Sequence, residues 1–310
     1  QYMEQIGAGH VVPVTASLVD LPVYIEKAMN MKDCRSFIPD INQFKTKPFL
    51  WKTPHAIKKS RVVTVDKNKC YPYALSNLPF LIVFDYRKHA IVKNPKTITP
   101  HYMYIARPKK YSILMPCTKL YAGYFLEECT SFGVEFDLLE ELQCETVNNH
   151  YRAIINALIN TMNVPMDEFK TIMNTTIGKF ERSYSEKDVV KYTGIYTEEA
   201  AAAKDGFHCD LGDYKLVFNT KRIYANVRSK LPIATQVKDE SRMLLYKKMR
   251  ELNLSDDQIV QINTDSISYY GTLPNDLNPD DFNCWKSSSF GELGQIDDVH
   301  YDDDITLLNL

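Results

Sequence analysis

Two aspartates that lie far apart in the chain each follow a strand-like apolar pattern. Asp66 ends the β-branched run RVVTVD, and Asp265 lies at the corner of QINTDSISYYG, between the predicted strands 258–262 and 267–270. Aspartate is common at turns without any function, because its side chain bonds nearby amides. Two carboxylates at strand ends can also converge on hard cations such as Mg²⁺, which takes oxygen ligands and substrate phosphates. Such a pair suits two-metal phosphoryl transfer.

A predicted helix adds a cation and a small residue to this chemistry. In MDEFKTIMNTTIGKF, Lys170, Asn174 and Gly178 are four residues apart and share one helix face. A lysine there can neutralise triphosphate charge, and a glycine lets a flat base pair approach the backbone. Arg152, on the preceding helix, could face the same space. An exposed surface side chain is the simpler interpretation of either cation.

The elements that must position these residues are a mixture of helices and strands. HYRAIINALINTM and MDEFKTIMNTTIGKF both show helical spacing of apolar residues, and Pro165 separates them, which predicts an antiparallel helical hairpin. TQVKDESRMLLYKKMREL predicts a longer helix that leads directly into the hairpin of Asp265. Strand-like runs alternate with Pro and Asn turns between residues 71 and 113. Residues 183–225 are polar and indicate an insertion or a loop-rich subdomain.

Three segments resemble the motifs of family B DNA polymerases, in the order found in that family. DKNKCYP is similar to the first motif, FKTIMNTTIGKF to the second and INTDS to the third. The spacings are 104 residues from Asp66 to Lys170 and 95 from Lys170 to Asp265. The protein-primed branch of phages and linear replicons is the most similar, and the resemblance covers roughly residues 50 to 296.

The resemblance implies an α+β fold, with a polymerase palm formed by an antiparallel sheet backed by helices, a helical-hairpin fingers subdomain and insertions. The implied organisation is an upstream segment or linker at 1–50, palm at 51–90, an insertion at 91–148, fingers at 149–182, an insertion at 183–225 and palm again at 226–310. The implied activity is DNA-directed DNA polymerisation, with two Mg²⁺ or Mn²⁺ ions as cofactors. The implied partners are primer–template DNA, a dNTP and, for this branch, a terminal priming protein.

The same resemblance assigns roles to individual residues. Asp66, Asp265 and the main-chain carbonyl of Lys67 would bind the metal ions. Tyr71 would stack under the incoming sugar and exclude a ribose hydroxyl. The nucleotide-binding set is Lys67, Tyr71, Arg152, Lys170, Asn174 and Gly178. Ser266 and Tyr269 would lie near the primer terminus.

Three positions depart from the family pattern. Asn263 stands where an aspartate is usual, Ile177 where a tyrosine is usual, and Lys69 adds a charge near the first motif. For Asn263 we expect weaker metal affinity or an altered rate. The alternative is a polymerase-like module that has lost turnover and binds DNA or replication partners. A generic α+β domain with coincidental motifs predicts instead that Asp66 and Asp265 lie far apart.

Composition narrows the setting of the protein. The chain has 310 residues, 45% hydrophobic and 25% charged, with a net charge of −2, so the whole chain carries no strong nucleic-acid signal. No apolar run reaches the roughly 18 residues of a membrane span, and we expect no membrane partner. Seven dispersed cysteines without a CxxC pair predict reduced thiols, a soluble intracellular setting and no zinc site.

Overall fold

The computed structural model divides the chain into two compact units. It describes residues 47–55, 57–58, 61–85, 90–160, 165–181, 186–202, 207–211, 214–224, 228–289, 305 and 307–308. The larger unit lies within Asp40–Arg182 and Lys230–Leu310, and the described part of the smaller unit lies within Ser183–Ser229. Most of the upstream segment proposed for residues 1–50, up to position 46, lies outside the described residues.

Helices and strands alternate along the described chain. The strands are β1 (Leu50–Lys52), β2 (Val62–Lys67), β3 (Leu81–Asp85), β4 (Ile91–Lys93), β5 (Met103–Pro108), β6 (Lys119–Ala122), β7 (Phe136–Leu142), β8 (Glu145–Val147), β9 (Glu186–Thr197), β10 (Phe207–Leu211), β11 (Tyr214–Tyr224), β12 (Arg228–Ser229), β13 (Ile259–Asn263), β14 (Ser266–Tyr270) and β15 (Trp285–Ser288). The α-helices are α1 (Cys70–Asn77), α2 (Gly123–Ser131), α3 (Tyr151–Asn160), α4 (Met166–Phe180), α5 (Glu198–Ala202) and α6 (Leu231–Glu251). A 3₁₀ turn at Asp256–Gln258 leads from α6 towards β13.

Five of the described strands form an antiparallel sheet in the order β1-β13-β14-β2-β15. β13 and β14 form the hairpin predicted from the sequence, and every residue of β14 pairs with a residue of β2. Alternation of apolar residues favours this sheet, because it places Val65 opposite Ile267, and both side chains are fully buried. The C-terminal end of β2 and the N-terminal end of β14 therefore lie next to each other at one end of the sheet.

Helices from three regions of the chain pack into one apolar core within the larger unit. The core residues they share are Ala74, Leu75, Tyr151, Ile155, Phe169, Met173, Ile177, Phe180, Ile233, Ala234 and Val237. The helical patterns predicted around residues 151–162 and 166–180 are confirmed as α3 and α4. Because α1 follows β2 directly and also packs on α3, α4 and α6, it links the C-terminal end of β2 to the helices.

A buried polar network fixes α6 against a second antiparallel sheet, which has the order β4-β7-β5-β6. Asp239 of α6 accepts hydrogen bonds from Lys119 Nζ at 3.1 Å and from the Ala122 amide at 3.2 Å, and it also pairs with Arg242. All three charged side chains are buried. A buried carboxylate needs such partners, so the network sets the position of α6 along that sheet.

The described part of the smaller unit contains an antiparallel sheet in the order β10-β11-β9, with α5 after β9. The strands differ from the loop-rich alternative given for residues 183–225, and the other alternative, an insertion, stays a prediction. β9 and β11 pair from Glu186–Tyr224 to Thr197–Tyr214, with one bulge between Val217 and Phe218. β-branched and aromatic residues in both strands favour extended pairing more strongly than the polar residues between them favour loops.

The fold is mixed α/β with antiparallel sheets, which agrees with the α+β expectation at that level. None of the described helices combines the length and the apolar character that crossing a bilayer requires.

Candidate active site

Asp66 and Asp265 lie side by side where the end of β2 meets the start of β14. Asp66 is the register partner of Ser266, and the Lys67 amide donates to the Asp265 carbonyl at 2.9 Å. Both aspartates line one cleft of about 490 Å³. The two aspartates are 199 positions apart in the chain but are carried by neighbouring strands. Coincidental motifs predict instead that they lie far apart.

The corner that carries Asp265 is held in an unusual backbone conformation. Thr264 has φ 56°, a left-handed value that is unfavourable for a β-branched residue. Its amide donates to the Phe49 carbonyl at 2.9 Å, and the Ser266 hydroxyl donates to the Asn263 carbonyl at 3.2 Å. Contact with the residue just before β1 thus keeps the corner closed. Backbone strain of about 1–2 kcal/mol at such a position is typical of functional sites.

Burial makes both carboxyl groups harder to ionise, and Asp66 adds to this effect at Asp265. Burial first, and then the neighbouring Asp66, raise the pKa of Asp265 from 3.8 to about 6. Burial also raises the pKa of Asp66, against the opposing effect of Lys286, whose Nζ lies 3.7 Å from Asp66 Oδ1. Lys170 acts in the same direction as Lys286 on both aspartates. A divalent cation would relieve the repulsion between the two carboxylates.

Helix α4 and the start of α1 provide the walls of this cleft. Lys170 and Asn174 of α4 line it, and so do Lys69 and Tyr71. The Tyr71 side chain is half-buried, and burial raises its pKa well above the usual value. Lys69 lies just before α1 in the left-handed region, with φ 45°. Three of the sequence segments that carry candidate residues therefore contribute to one cleft.

Gly178 and Ser266 lie near this arrangement without lining the cleft. A Cβ atom built on Gly178 meets nothing within 4 Å, so packing inside the protein does not require glycine there. Ser266 is half-buried directly opposite Asp66. Ile177, at the position where a tyrosine is usual, is only 3% exposed and belongs to the helical core.

Three candidate residues direct their side chains elsewhere. Tyr269 is 2% exposed and its hydroxyl donates to the Thr272 carbonyl at 2.9 Å, so this side chain is packed inside the protein. Arg152 lines a neighbouring cleft, where its Nε donates to the Ser76 carbonyl at 2.7 Å. The Lys67 ammonium donates to the carbonyls of Phe282 and Cys284 at 3.0 and 3.3 Å, and burial lowers its pKa to about 8. The prediction for Lys67 concerns its main-chain carbonyl as a metal ligand, and the placement of the side chain does not test it.

Lys286 is the residue of the cleft that sequence reasoning missed. It lies in β15, opposite Asp66 in the antiparallel register, and it lines the cleft with both aspartates. The surrounding sequence, WKSSS, is short and polar, so nothing in it indicates a strand next to β2. The observation that identifies Lys286 is the pairing of β15 with β2.

The donor set of the cleft fits Mg²⁺ better than a soft metal. Two carboxylates and the Asn263 amide oxygen are available there, and Mg²⁺ typically takes one or two carboxylates together with phosphate oxygens. Across the described stretches, no group of three or more His, Cys, Asp or Glu side chains could hold an ion by itself. Substrate phosphates would supply further oxygen ligands to an ion held there.

Comparison with known proteins gives a likeness at the level of the fold. No protein-family model matches the sequence, and no curated protein matches it. A solved structure of Phi29 DNA polymerase complexed with single-stranded DNA aligns with 92% of this chain at a TM-score of 0.51 and 13% identity. The same polymerase complexed with primer-template DNA, in a post-translocation binary complex, covers 92% of the chain at a TM-score of 0.48 and 14% identity. The chain spans about half the length of these proteins, 53% and 48% respectively. The fold is thus similar to that of a polymerase.

Proposed function

We propose that this chain is the nucleotidyl-transferring core of a DNA-directed DNA polymerase. The observation that carries the proposal is the convergence of Asp66, Asp265 and Lys170, from three distant segments, on one cleft. A polymerase-like fold and motifs in the matching order support it. In this proposal the five-stranded sheet with α1 and α6 is the palm, and α3 with α4 forms the fingers.

The reaction joins a deoxynucleotide to a primer. The primer 3′-oxygen attacks the α-phosphorus of a dNTP in line, a new P–O bond forms, and the bond from the α-phosphorus to the bridging oxygen breaks. Pyrophosphate leaves with that electron pair, and the hydroxyl proton is released. Two Mg²⁺ or Mn²⁺ ions, when bound, would lower the pKa of the attacking hydroxyl and neutralise negative charge on the leaving oxygens.

The protein side chains bind and orient the reactants. Asp66 and Asp265 would hold the ions with the Lys67 carbonyl, and Lys170 would bind triphosphate oxygens. Asn174 would orient the nucleotide, and Tyr71 would pack under its sugar. Gly178 would leave space for the new base pair. Ser266, opposite Asp66, would lie close to the primer end.

DNA is the expected macromolecular partner. Binding should weaken as salt rises, because lysine and arginine contacts with phosphates release counterions. A protein hydroxyl could replace the primer at initiation, which is the mode of the branch that the sequence resembles. A primer-extension assay with and without an added protein primer would address that point.

The central test is template-directed primer extension in Mg²⁺ or Mn²⁺. We expect extension by the native chain and loss of at least about 10³-fold in rate for Asp265→Asn, since one metal ligand is removed. The matched control is Asp137→Asn, an exposed strand carboxylate paired with Arg107. Salt-sensitive DNA binding without extension, in either metal, would instead support the non-catalytic module.

A further inference from the structure

A second polar cleft adjoins the two-aspartate cleft. It has a volume of about 530 Å³, and Lys69 lines both clefts. One wall comes from the end of α1 and from α3, including Asn77 and Arg152. The other wall is the loop before β15, including Asp280 and Asp281. Cations and carboxylates therefore face a common space next to the proposed reaction centre.

The acidic wall is held in place by side chains from the end of β2. Asn68 Nδ2 donates to the carbonyls of Asn278 and Asp281, both at 2.8 Å. The Lys67 ammonium holds the next part of the same loop through the Phe282 and Cys284 carbonyls. Both Asn68 and Lys67 are 2% exposed. Because buried donors bind its carbonyls, the loop is fixed before any ligand arrives.

Local hydrogen bonds also orient the carboxylate of Asp281. One of its oxygens accepts from the Asn283 amide at 2.8 Å, and the other accepts from the Cys284 thiol at 3.2 Å. Each oxygen keeps lone-pair capacity for a further ligand. Asp281 is thus a preformed acceptor for a hard cation.

The basic wall is fixed as well. Arg152 uses Nε for its bond to the Ser76 carbonyl, which leaves the other guanidinium N–H groups as donors that suit phosphate oxygens. Lys69 adds a second cation from the left-handed turn before α1. A stacking platform for a nucleobase is poorly developed here, since the Phe282 ring lies against Tyr73 with centroids 5.7 Å apart.

We propose that this second cleft binds magnesium-bound inorganic pyrophosphate, with Arg152 and Lys69 on the phosphate oxygens and Asp281 on the side of the metal. The proposal rests on the proposed function, because pyrophosphate is the leaving group of that reaction. Lys69, which lines both clefts, would contact the product as it moves from the reaction centre to the second cleft. A ligand that carries both charge signs accounts for a cleft that also carries both.

Isothermal titration calorimetry with inorganic pyrophosphate and MgCl₂ tests the site without any need for turnover. We expect Arg152→Ala and Asp281→Asn each to weaken binding about tenfold or more, the usual effect of losing a charge-assisted contact. Arg107→Ala and Asp137→Asn, an exposed pair on another sheet, are the matched controls. Omission of Mg²⁺ should weaken pyrophosphate binding by the native chain, and it should weaken pyrophosphate binding by Asp281→Asn to a smaller extent.

A second variant covers the case in which loss of the Arg152–Ser76 bond unfolds the protein. Asn156 is exposed on α3 and lines the cleft, so Asn156→Asp adds a negative charge with little structural cost and should also weaken pyrophosphate binding. Asp265→Asn should retain one pyrophosphate site. If binding disappears in Asp265→Asn but survives in Arg152→Ala and Asn156→Asp, pyrophosphate occupies the two-aspartate cleft and the inference is wrong.

The two proposals can fail separately. Pyrophosphate binding that depends on Arg152 and Asp281, in a chain that extends no primer, would keep the second site and reject the polymerase activity. Primer extension whose inhibition constant for pyrophosphate is the same in native and Asn156→Asp proteins would keep the activity and reject the site. Equal binding with and without Mg²⁺ would also reject it, because the acidic wall would then have no role.

Discussion

Asp265 is expected to destabilise the metal-free protein at neutral pH, so its replacement by asparagine should stabilise the fold. Burial and the neighbouring Asp66 raise the pKa of Asp265 from 3.8 to about 6. The folded state therefore holds this proton more tightly than the unfolded state. As pH rises from about 4 through 6, the folded chain loses that advantage, and the free energy of unfolding falls.

The size of the effect follows from the shift. About two pKa units at 1.36 kcal/mol each correspond to an upper limit of about 3 kcal/mol. Asparagine keeps the shape of the side chain and removes its charge. Asp265→Asn should therefore increase the free energy of unfolding by up to about 3 kcal/mol at pH 8, and should change it little near pH 4.

Urea unfolding followed by tryptophan fluorescence measures this difference in the larger unit, which contains Asp265. The two tryptophans of the chain, Trp51 and Trp285, lie in β1 and β15, the two edges of the five-stranded sheet as described. The experiment compares native, Asp265→Asn and Asp137→Asn proteins at pH 4.5 and pH 8 in EDTA. MgCl₂ at pH 8 should then stabilise the native protein more than Asp265→Asn, since only the native site keeps both carboxylates.

The reasoning fails if Asp265→Asn destabilises the protein equally at both pH values. That result would mean that the side chain contributes favourable contacts and not an unfavourable charge. A similar gain in Asp137→Asn would also contradict it, because Asp137 is exposed and lies next to Arg107.

Three further substitutions make separate predictions. Gly178→Ala should raise the free energy of unfolding by about 0.5–1 kcal/mol, because glycine is unfavourable in a helix and the added Cβ meets no other atom. The same substitution should raise the KM for dNTP. Thermal melts measure the stability and steady-state kinetics the KM, and a loss of stability would contradict the first expectation. Lys286→Met removes the cation 3.7 Å from Asp66, so the pKa of that carboxyl should rise further and the pH profile of Mn²⁺ binding should move to higher pH; an unmoved profile would exclude this coupling. Asn263→Asp should tighten Mn²⁺ binding about tenfold or more and should lower the metal-free stability at pH 8. Calorimetry measures the first effect and urea unfolding the second, and the absence of either change would contradict this prediction.

Sequence reasoning succeeds where periodicity is strong. The hairpin around Asp265 was predictable because apolar residues alternate on both sides of a polar corner, and α4 because its apolar residues repeat at helical spacing. Alternation also accounts for the burial of Tyr269, because residues two apart in a strand share a face and Tyr269 lies on the face of Ile267. The primer contact assigned to Tyr269 came from the family resemblance and stays a prediction.

The contribution of Lys286 could not be predicted in the same way. β15 has four residues, two of them exposed serines, and it joins the sheet only because its backbone pairs with β2. The loop before it is held by Asn68 and Lys67, which bind backbone carbonyls and therefore leave no complementary side-chain pattern in the sequence. Backbone pairing over about 200 residues has no local signature.

Asparagine at position 263 limits the repulsion between carboxylates in the cleft. Asn263 lines the cleft with the two aspartates and with three lysines, Lys69, Lys170 and Lys286. A third carboxylate beside Asp265 would add to the repulsion that already raises its pKa to about 6. The asparagine keeps an oxygen that can approach a cation without adding that charge. Asparagine at this position therefore limits repulsion in the metal-free cleft, at the cost of a weaker attraction for divalent ions.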